Sequence, residues 1–454
     1  MKEKVFLREI KTLIYYIREY GIRHIDFTLE NVNSLIEDEE KKHKFYYHCH
    51  QGFYAAQDRV IYLLRKILQE KKKLKTELKI ARGQRIKEDI ESIEYKIKRL
   101  EFQENVLRKI MDAIAWQIFG YDLSVMRRLY CGNPTVDITN SNLESELFFI
   151  ENCKKNYSNT FVLINDLTSF IQIGDVVMLN DNNKKCIYEL KEGDVNEELF
   201  RIIEDVSKTQ CLEHLSKELK DKDKVFVKQF ERAVKQTIKV YQTKQTINRG
   251  YGIDHNTGQR VKISDVLVEI DYYFDKLNDL CQECNKKGYA ISVIEGCLLV
   301  GVYDVSKHPS KSFEAWNEML KIETPIYDLR NSFYDPLSYP LFLHSFSDTF
   351  IVDLIAGKKV IKLSLDIKKW LSTFEKDGYK VNWLSKKETN IRNTSLKGAN
   401  RIFEIKGHGI EIEKDGIKQT LCGGIFSRMF THFATPSSAK KVLFTMNELS
   451  VTNE

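Results

Sequence analysis

The first proline in this chain is Pro134, and the long segment before it is rich in Lys, Glu, Leu and Ile. Proline disrupts helix interiors and these four residue types favour helices, so segment 1–130 is predicted to be helical. Apolar residues recur there at alternating steps of three and four, the heptad spacing of packed helices. This seam consists of Ile90, Ile93, Ile97, Leu100, Glu104, Leu107, Met111, Ile114 and Ile118. Glu104 is its one polar member.

A second seam with the same spacing precedes the first. It consists of Leu64, Ile67, Lys71, Leu74 and Leu78. Gly83 is the glycine between the two seams, so we predict an antiparallel helical hairpin, a coiled-coil arm, that reverses near this residue. The competing interpretation is one continuous helix that pairs in parallel with a second copy of the chain. In either case the expected role is packing, since heptad seams usually bury each other.

The helical pattern ends at the loop 131–135, and the later composition alternates strand-like and helical segments. Four prolines between 309 and 340 mark a second junction. The predicted fold class is therefore multi-domain α/β. It comprises a helical domain (1–130), a central α/β domain (131–305) and an α/β or β-rich C-terminal domain of unknown role (306–454). A β-hairpin is predicted within 409–421, turning at Asp415 and Gly416.

Composition limits the possible environments of the chain. It carries 71 basic and 65 acidic residues, a net charge of +6 that does not by itself indicate a polyanionic partner. The first residues mix charges with apolar side chains, unlike a signal peptide, and no uncharged apolar run reaches about 18 residues. We expect a cytoplasmic protein without a membrane partner. The nine cysteines are expected to be free thiols.

The segment with the clearest chemical meaning is 173–193. Two apolar strands flank the polar turn 180–183, which predicts a β-hairpin. Side chains alternate along a strand, so Glu189 and Lys191 share a side, and Asp175 can lie across from Glu189. Two carboxylates suit Mg²⁺ or Mn²⁺, and a lysine beside them could position the attacking water. The non-catalytic alternative is an exposed hairpin with a cross-strand ion pair.

This arrangement resembles the core of the PD-(D/E)XK nuclease superfamily, over roughly 140–303. In that superfamily an Asp near the start of one strand is followed, on the next strand, by an acidic residue, any residue and a lysine. Asp175, Glu189 and Lys191 match these positions, while Gly174 stands where the superfamily often has proline. The resemblance implies a restriction-endonuclease-like α/β core and metal-dependent cleavage of a phosphodiester. DNA is expected rather than RNA.

The resemblance also implies roles for two helices. The helix before the first strand often supplies another acidic residue, here Glu144 or Glu146, with Glu146 preferred. The helix after the lysine strand often contacts phosphates. Its candidate residues here are Lys224, Lys228, Gln229, Arg232, Lys235 and Lys239.

Helical periodicity gives the second helix a basic stripe and an apolar stripe. The basic stripe holds the five cations just named, at steps of four, four, three and four. The apolar stripe, expected to face the core, is Val227, Phe230, Val234, Ile238 and Tyr241. An ordinary solvated face remains the alternative interpretation of the basic stripe.

Together these patterns predict a Mg²⁺-dependent nuclease, similar to effectors of bacterial restriction or phage-defence systems. The alternative is a non-catalytic scaffold that dimerises through its helical arm and binds nucleic acid or an acidic protein. A zinc site at His48 and His50 is disfavoured because the two would come together only in an extended segment, and this one is predicted to be helical. A site at Cys281 and Cys284 is disfavoured because no second pair stands at zinc-site spacing. No glycine-rich phosphate loop is present, which argues against ATP hydrolysis.

Overall fold

The structure is a computed structural model of the 454-residue chain. It describes residues 1–25, 37–139, 142–157, 159–180, 184–190, 194–209, 212–220, 222–255, 258, 260–262, 269–395 and 401–451. Lys191 and the predicted turn residues 181–183 lie outside the described residues.

Helices and small antiparallel sheets make up the fold, which confirms the mixed class predicted from sequence. The helices are α1 Glu3–Arg18, α2 Tyr20–Arg23, α3 Glu39–Gln84, α4 Lys87–Ile118, α5 Leu123–Leu129, α6 Leu143–Asn156, α7 Asp194–Thr209, α8 Leu212–Leu219, α9 Lys224–Arg249, α10 Phe274–Lys287, α11 Ser312–Met319, α12 Asp348–Ile355, α13 Ile367–Lys376, α14 Lys386–Ser395, α15 Gly423–Phe430 and α16 Pro436–Val451.

The strands form four separate groups within the described residues. They are β1 Phe161–Ile164, β2 Val176–Leu179, β3 Lys185–Tyr188, β4 Tyr251–Ile253, β5 Arg260–Lys262, β6 Tyr289–Ile294, β7 Leu298–Asp304, β8 Tyr327–Asp328, β9 Lys359–Leu365, β10 Lys380–Trp383, β11 Glu404–Ile405, β12 His408–Lys414 and β13 Ile417–Thr420. The sheet orders are β1-β2-β3, β6-β7-β9-β8 and β10-β12-β11 with β13 beside β12, and β4 pairs with β5. Every pairing is antiparallel.

Helices α3 and α4 form the predicted antiparallel hairpin. The chain reverses at Arg85, whose φ of 59° is left-handed, two residues beyond Gly83. The polar members of the two seams meet each other, because Lys71 Nζ lies 2.7 Å from Glu104 Oε2. Glu104 also accepts hydrogen bonds from Arg108, whose side chain is 1% exposed. Lys71 and Glu104, the polar members of the two seams, therefore pair with each other, and this pairing sets the register of the hairpin.

The predicted C-terminal hairpin is also present. Strands β12 and β13 pair in antiparallel register and are joined by the two residues Asp415 and Gly416. Their φ angles are 53° and 80°, the positive values that a type I′ turn requires at both central positions. The Asp-Gly pair meets that requirement because both residue types tolerate left-handed backbone.

The chain packs as two compact units, each assembled from separate segments. One contains 1–18, 69–113 and 265–454, and the other contains 19–68 and 114–264. This division differs from the three consecutive domains predicted at 1–130, 131–305 and 306–454. The long helices α3 and α4 contribute residues to both units, whereas the sequence interpretation placed them in a domain of their own.

The physical reason is that these helices pack on other elements as well as on each other. In the first unit, Phe102 of α4 meets Phe333 with ring centroids 5.6 Å apart. In the second, Tyr54 of α3 donates a hydrogen bond to the carbonyl of Thr160, and Gln57 bonds to Val162 and Ile164 of β1. Heptad spacing marks which helix face is buried but not what buries it.

Within the described part of the chain, no helix is both long enough and apolar enough to cross a membrane.

The buried charges of the hairpin give a stability prediction. Replacing Glu104 with Ala removes the carboxylate that pairs with the buried Arg108 guanidinium and with Lys71. Loss of one partner of a buried pair typically costs about 3 kcal/mol or more. We expect Glu104→Ala to lower the free energy of unfolding by that amount in urea titrations.

The matched control is Glu91→Ala. Glu91 lies on the same helix and pairs with Lys87 across 3.9 Å, but its side chain is 68% exposed. Such exposed pairs contribute at most about 0.5 kcal/mol. Equal losses in the two variants would contradict a structural role for the buried pair.

Candidate functional site

The predicted β-hairpin of the candidate site is present and carries Asp175 to its predicted position. Val176 of β2 pairs with Tyr188 of β3. The ladder continues past the strands, because Asp175 N–H donates to the Tyr188 carbonyl at 2.8 Å and Leu190 N–H donates to Asp175 Oδ2. Asp175 and Glu189 therefore stand across from each other at the end of the hairpin.

The backbone at position 174, just before Asp175, requires glycine. Its φ is 73°, and a Cβ at this position would lie 2.5 Å from Ile187 Cγ2 and 2.8 Å from the Tyr188 carbonyl oxygen. Proline is confined to negative φ, and any side chain would clash, so only glycine fits this backbone.

Asn165 ties the end of β1 to the start of β2. Its side-chain amide donates to the carbonyls of Ile173 and Gly174, at 3.1 and 2.9 Å. Its backbone N–H donates to the Asp175 carbonyl at 2.9 Å. These three bonds hold the residue after Asn165, Asp166, near Asp175.

Glu146 of α6 is the third acidic residue in this region, and its side chain is buried. Burial, and after it the negative charges of Asp166 and Asp175, raise the pKa of the Glu146 carboxyl to about 8. Its Oε2 atom has no hydrogen-bond donor among the described residues. Glu144, the other candidate, instead pairs with Arg65 at 2.8 Å and is 85% exposed. The structure thus brings Glu146, not Glu144, close to Asp175.

A cavity of about 300 Å³ opens at this place. Three carboxylates and one ammonium group line it: Asp166, Asp175, Glu189 and Lys239. Of the described residues in its lining, Lys239 is the one with a permanent positive charge. Asp166 was not identified from sequence. The available signal was its place just after a fully buried apolar strand, where β1 ends.

Whether the site suits a divalent cation depends on its acidic oxygens. No group of three His, Cys, Asp or Glu side chains within the described residues is arranged as a metal cluster. Mg²⁺ usually takes only one or two protein carboxylates and completes its octahedron with water and substrate phosphate. Asp175 and Glu189, which line one cavity across the hairpin end, satisfy that smaller requirement. Lys191 lies outside the described residues, so its predicted role stays a prediction.

Helix α9 carries the predicted phosphate-binding residues. Asp223 caps its start by accepting a hydrogen bond from Phe226 N–H at 2.7 Å, and Gly250 ends it with a φ of 75°. The side chains of Lys224, Lys228, Gln229, Arg232 and Lys235 are exposed, whereas Lys239 is partly buried at the cavity wall. Gln229 lies off the basic stripe, by about 60° or more of helix rotation.

The predicted apolar stripe of α9 is wrong at its C-terminal end. Phe230 is buried as expected, but Ile238 is 49% exposed and Tyr241 is 60% exposed. The face that packs in the first half of the helix is turned toward solvent in the second half, because the two halves have different neighbours.

The two disfavoured zinc pairs lie in helices. The His48 ring stacks on His24 at 5.2 Å, while His50 is buried with its ring 6.0 Å from that of Phe161. Cys281 and Cys284 are buried free thiols of α10. Burial raises the pKa of both thiols, which disfavours the thiolate form that binds zinc.

Comparison with protein-family models, with curated proteins and with solved structures found no match for this chain.

The raised pKa of Glu146 predicts a pH-dependent stability. The unfolded side chain ionises near pH 4.5, but the folded one only near pH 8. The unfolded state is therefore favoured progressively as pH rises from 4.5 to 8, and the effect is constant above that. Glu146→Gln removes this pH-dependent decrease in the free energy of unfolding, because glutamine does not ionise. In EDTA, its free energy of unfolding should exceed that of the native chain by an amount that grows from pH 5 to pH 8, on the order of 3–5 kcal/mol.

Glu144→Gln is the control, since it makes the same change two residues away at an exposed position. Urea titrations at unit pH steps should give this variant the pH profile of the native chain. A constant difference between Glu146→Gln and the native chain at all pH values would contradict the raised pKa.

Proposed function

We propose that this protein is a metal-dependent nuclease that hydrolyses phosphodiester bonds in DNA. The observation that carries the proposal is the meeting of Asp166, Asp175, Glu189 and Lys239 in one cavity of about 300 Å³. Acidic oxygens that line a cavity attract a divalent cation, and a neighbouring ammonium attracts the phosphate that such a cation also binds.

Asp175 and Glu189 would hold Mg²⁺ or Mn²⁺. When bound, such a cation lowers the pKa of a coordinated water and stabilises the charge that develops on the phosphate. The Leu190 N–H bond to Asp175 Oδ2 restrains the rotation of that carboxylate. Restraint of this kind keeps a ligand oriented before substrate arrives.

The remaining side chains have separate roles. Lys239 would hold the phosphate through its charge, and Lys191 is predicted to position the attacking water. Glu146 carries its proton at neutral pH in the absence of a cation, so it can donate a hydrogen bond where its neighbours can only accept. The exposed cations of α9 would bind the rest of the nucleic acid.

The biological setting follows from the resemblance alone. A restriction or phage-defence effector is the expected context, and DNA is the expected substrate. A homodimer formed through the α3–α4 hairpin remains a prediction.

The test is cleavage of plasmid and of single-stranded DNA with Mg²⁺, Mn²⁺ or EDTA. We expect cleavage with either cation and none in EDTA. Asp175→Asn and Glu189→Gln keep the shape of each side chain but remove its charge. Each should lower the rate on the order of 100-fold or more, as loss of one transition-state-stabilising group does. Lys191→Ala should have a similar effect.

Glu144→Gln is again the matched control and should cleave like the native protein. Cleavage that persists in EDTA, or in both carboxylate variants, would refute the assigned site. Slower migration of DNA in a gel without any cleavage, with both cations, would favour the non-catalytic scaffold.

A further inference from the structure

Helix α9 changes its buried face midway along its length. In the first half, Phe226, Phe230 and Ala233 pack with Leu199 and Ile202 of α7. In the second half, Gln236, Lys239 and Val240 line the cavity, and Thr243 and Thr246 are buried. At 100° per residue, the mean directions of these two faces differ by about 110°.

The basic stripe keeps one direction while the buried face turns. Its five side chains, from Lys224 to Lys239, occupy an arc of about 80°. This arc lies almost opposite the buried face in the first half of the helix. In the second half of the helix, the same arc borders the buried face. The basic stripe is therefore exposed at Lys224 and reaches the cavity wall at Lys239.

The cations on the stripe are available for a ligand. None of the five forms a salt bridge with an acidic residue in the described segments of the chain. By contrast, Lys222, just before the helix, lies 2.6 Å from Glu198. No salt bridge within the described segments therefore neutralises the exposed stripe.

The Cys131 thiol and the His255 ring, which lie near Lys239, are uncharged. Burial raises the pKa of the Cys131 thiol, which contacts Lys239, so the thiol stays protonated. Burial, and after it the charge of Lys239, lowers the pKa of His255 to about 4. The nearby Asp254 is paired with Arg128. Cys131 and His255 therefore contribute no charge that would offset the ammonium of Lys239. This ammonium lines the cavity in which the substrate phosphate would lie.

We propose that α9 guides one single strand of nucleic acid into the cavity, with Lys239 at the scissile phosphate. The other four cations would bind successive phosphates on one side of it, and Lys224 would be the farthest. This inference rests on the proposed nuclease function. It adds a substrate class, single-stranded DNA, and a direction in which the strand lies.

Helix geometry supports a single strand. The stripe extends about 22 Å from Lys224 to Lys239, and neighbouring cations are about 5–6 Å apart. A flexible strand can follow a straight row of charges over that whole length. A duplex is stiff and its strands curve away from a straight row, so only part of the stripe could contact it.

The experiment measures binding, not cleavage, with fluorescent oligo-dT of 3, 6 and 12 nucleotides in EDTA. For 12 nucleotides, the slope of log K against log salt should be about 3.5, or 0.7 for each of five contacts. Lys224→Ala and Lys235→Ala should each reduce the slope by about 0.7 and weaken binding about fivefold at 0.1 M salt.

The length of the oligonucleotide distinguishes the effects of the two substitutions on binding. Because Lys224 lies farthest from the cavity, Lys224→Ala should weaken binding of 12 nucleotides but leave binding of 3 unchanged. Lys235→Ala, one turn from Lys239, should already weaken binding of shorter strands. Lys155→Ala is the control, an exposed lysine on α6 outside the stripe, and should match the native protein at every length.

The outcomes distinguish this inference from the proposed function. The inference would be overturned, even if DNA is cleaved, by either of two results. One is that the affinity losses of the variants do not depend on oligonucleotide length. The other is that a duplex binds as tightly as the single strand and with as steep a salt dependence. The expected length pattern without cleavage in Mg²⁺ or Mn²⁺ would support the strand path and refute the nuclease.

Discussion

The central constraint in the candidate site is the proximity of three carboxyl groups. Asn165 joins the end of β1 to the start of β2 and thereby brings Asp166 near Asp175, and α6 adds Glu146 from a buried position. Like charges at short range in a poorly solvated place repel strongly. The folded chain relieves that repulsion by keeping Glu146 protonated, and a divalent cation would relieve it more completely. The same feature that costs stability is the basis of the cation site that we propose.

Two kinds of buried charge are used differently in this chain. Between α3 and α4, the charges of Lys71, Glu104 and Arg108 compensate one another, which makes them structural. Among the described residues that line the cavity, acidic groups outnumber the one lysine. An excess of one sign in a concave place indicates binding more strongly than a balanced network does.

Helix α9 connects surface charge to the cavity through its change of buried face. A helix that packed on one side throughout would keep its basic stripe either exposed or buried along its full length. Because the partner changes midway, the stripe begins in solvent and ends beside the carboxylates. Ile238 and Tyr241 are exposed because both lie on the side of α9 away from the face that is buried in its second half.

By itself, the sequence determined the features that depend on local periodicity: the helical hairpin, the β2–β3 and β12–β13 hairpins, and the placement of Asp175 across from Glu189. Tertiary structure alone decided which face meets which neighbour. It brought Glu146 rather than Glu144 to Asp175, added Asp166, and divided the long helices between two compact units. The physical reason is that periodicity specifies which residues share a face, whereas burial and pKa depend on groups distant in the chain.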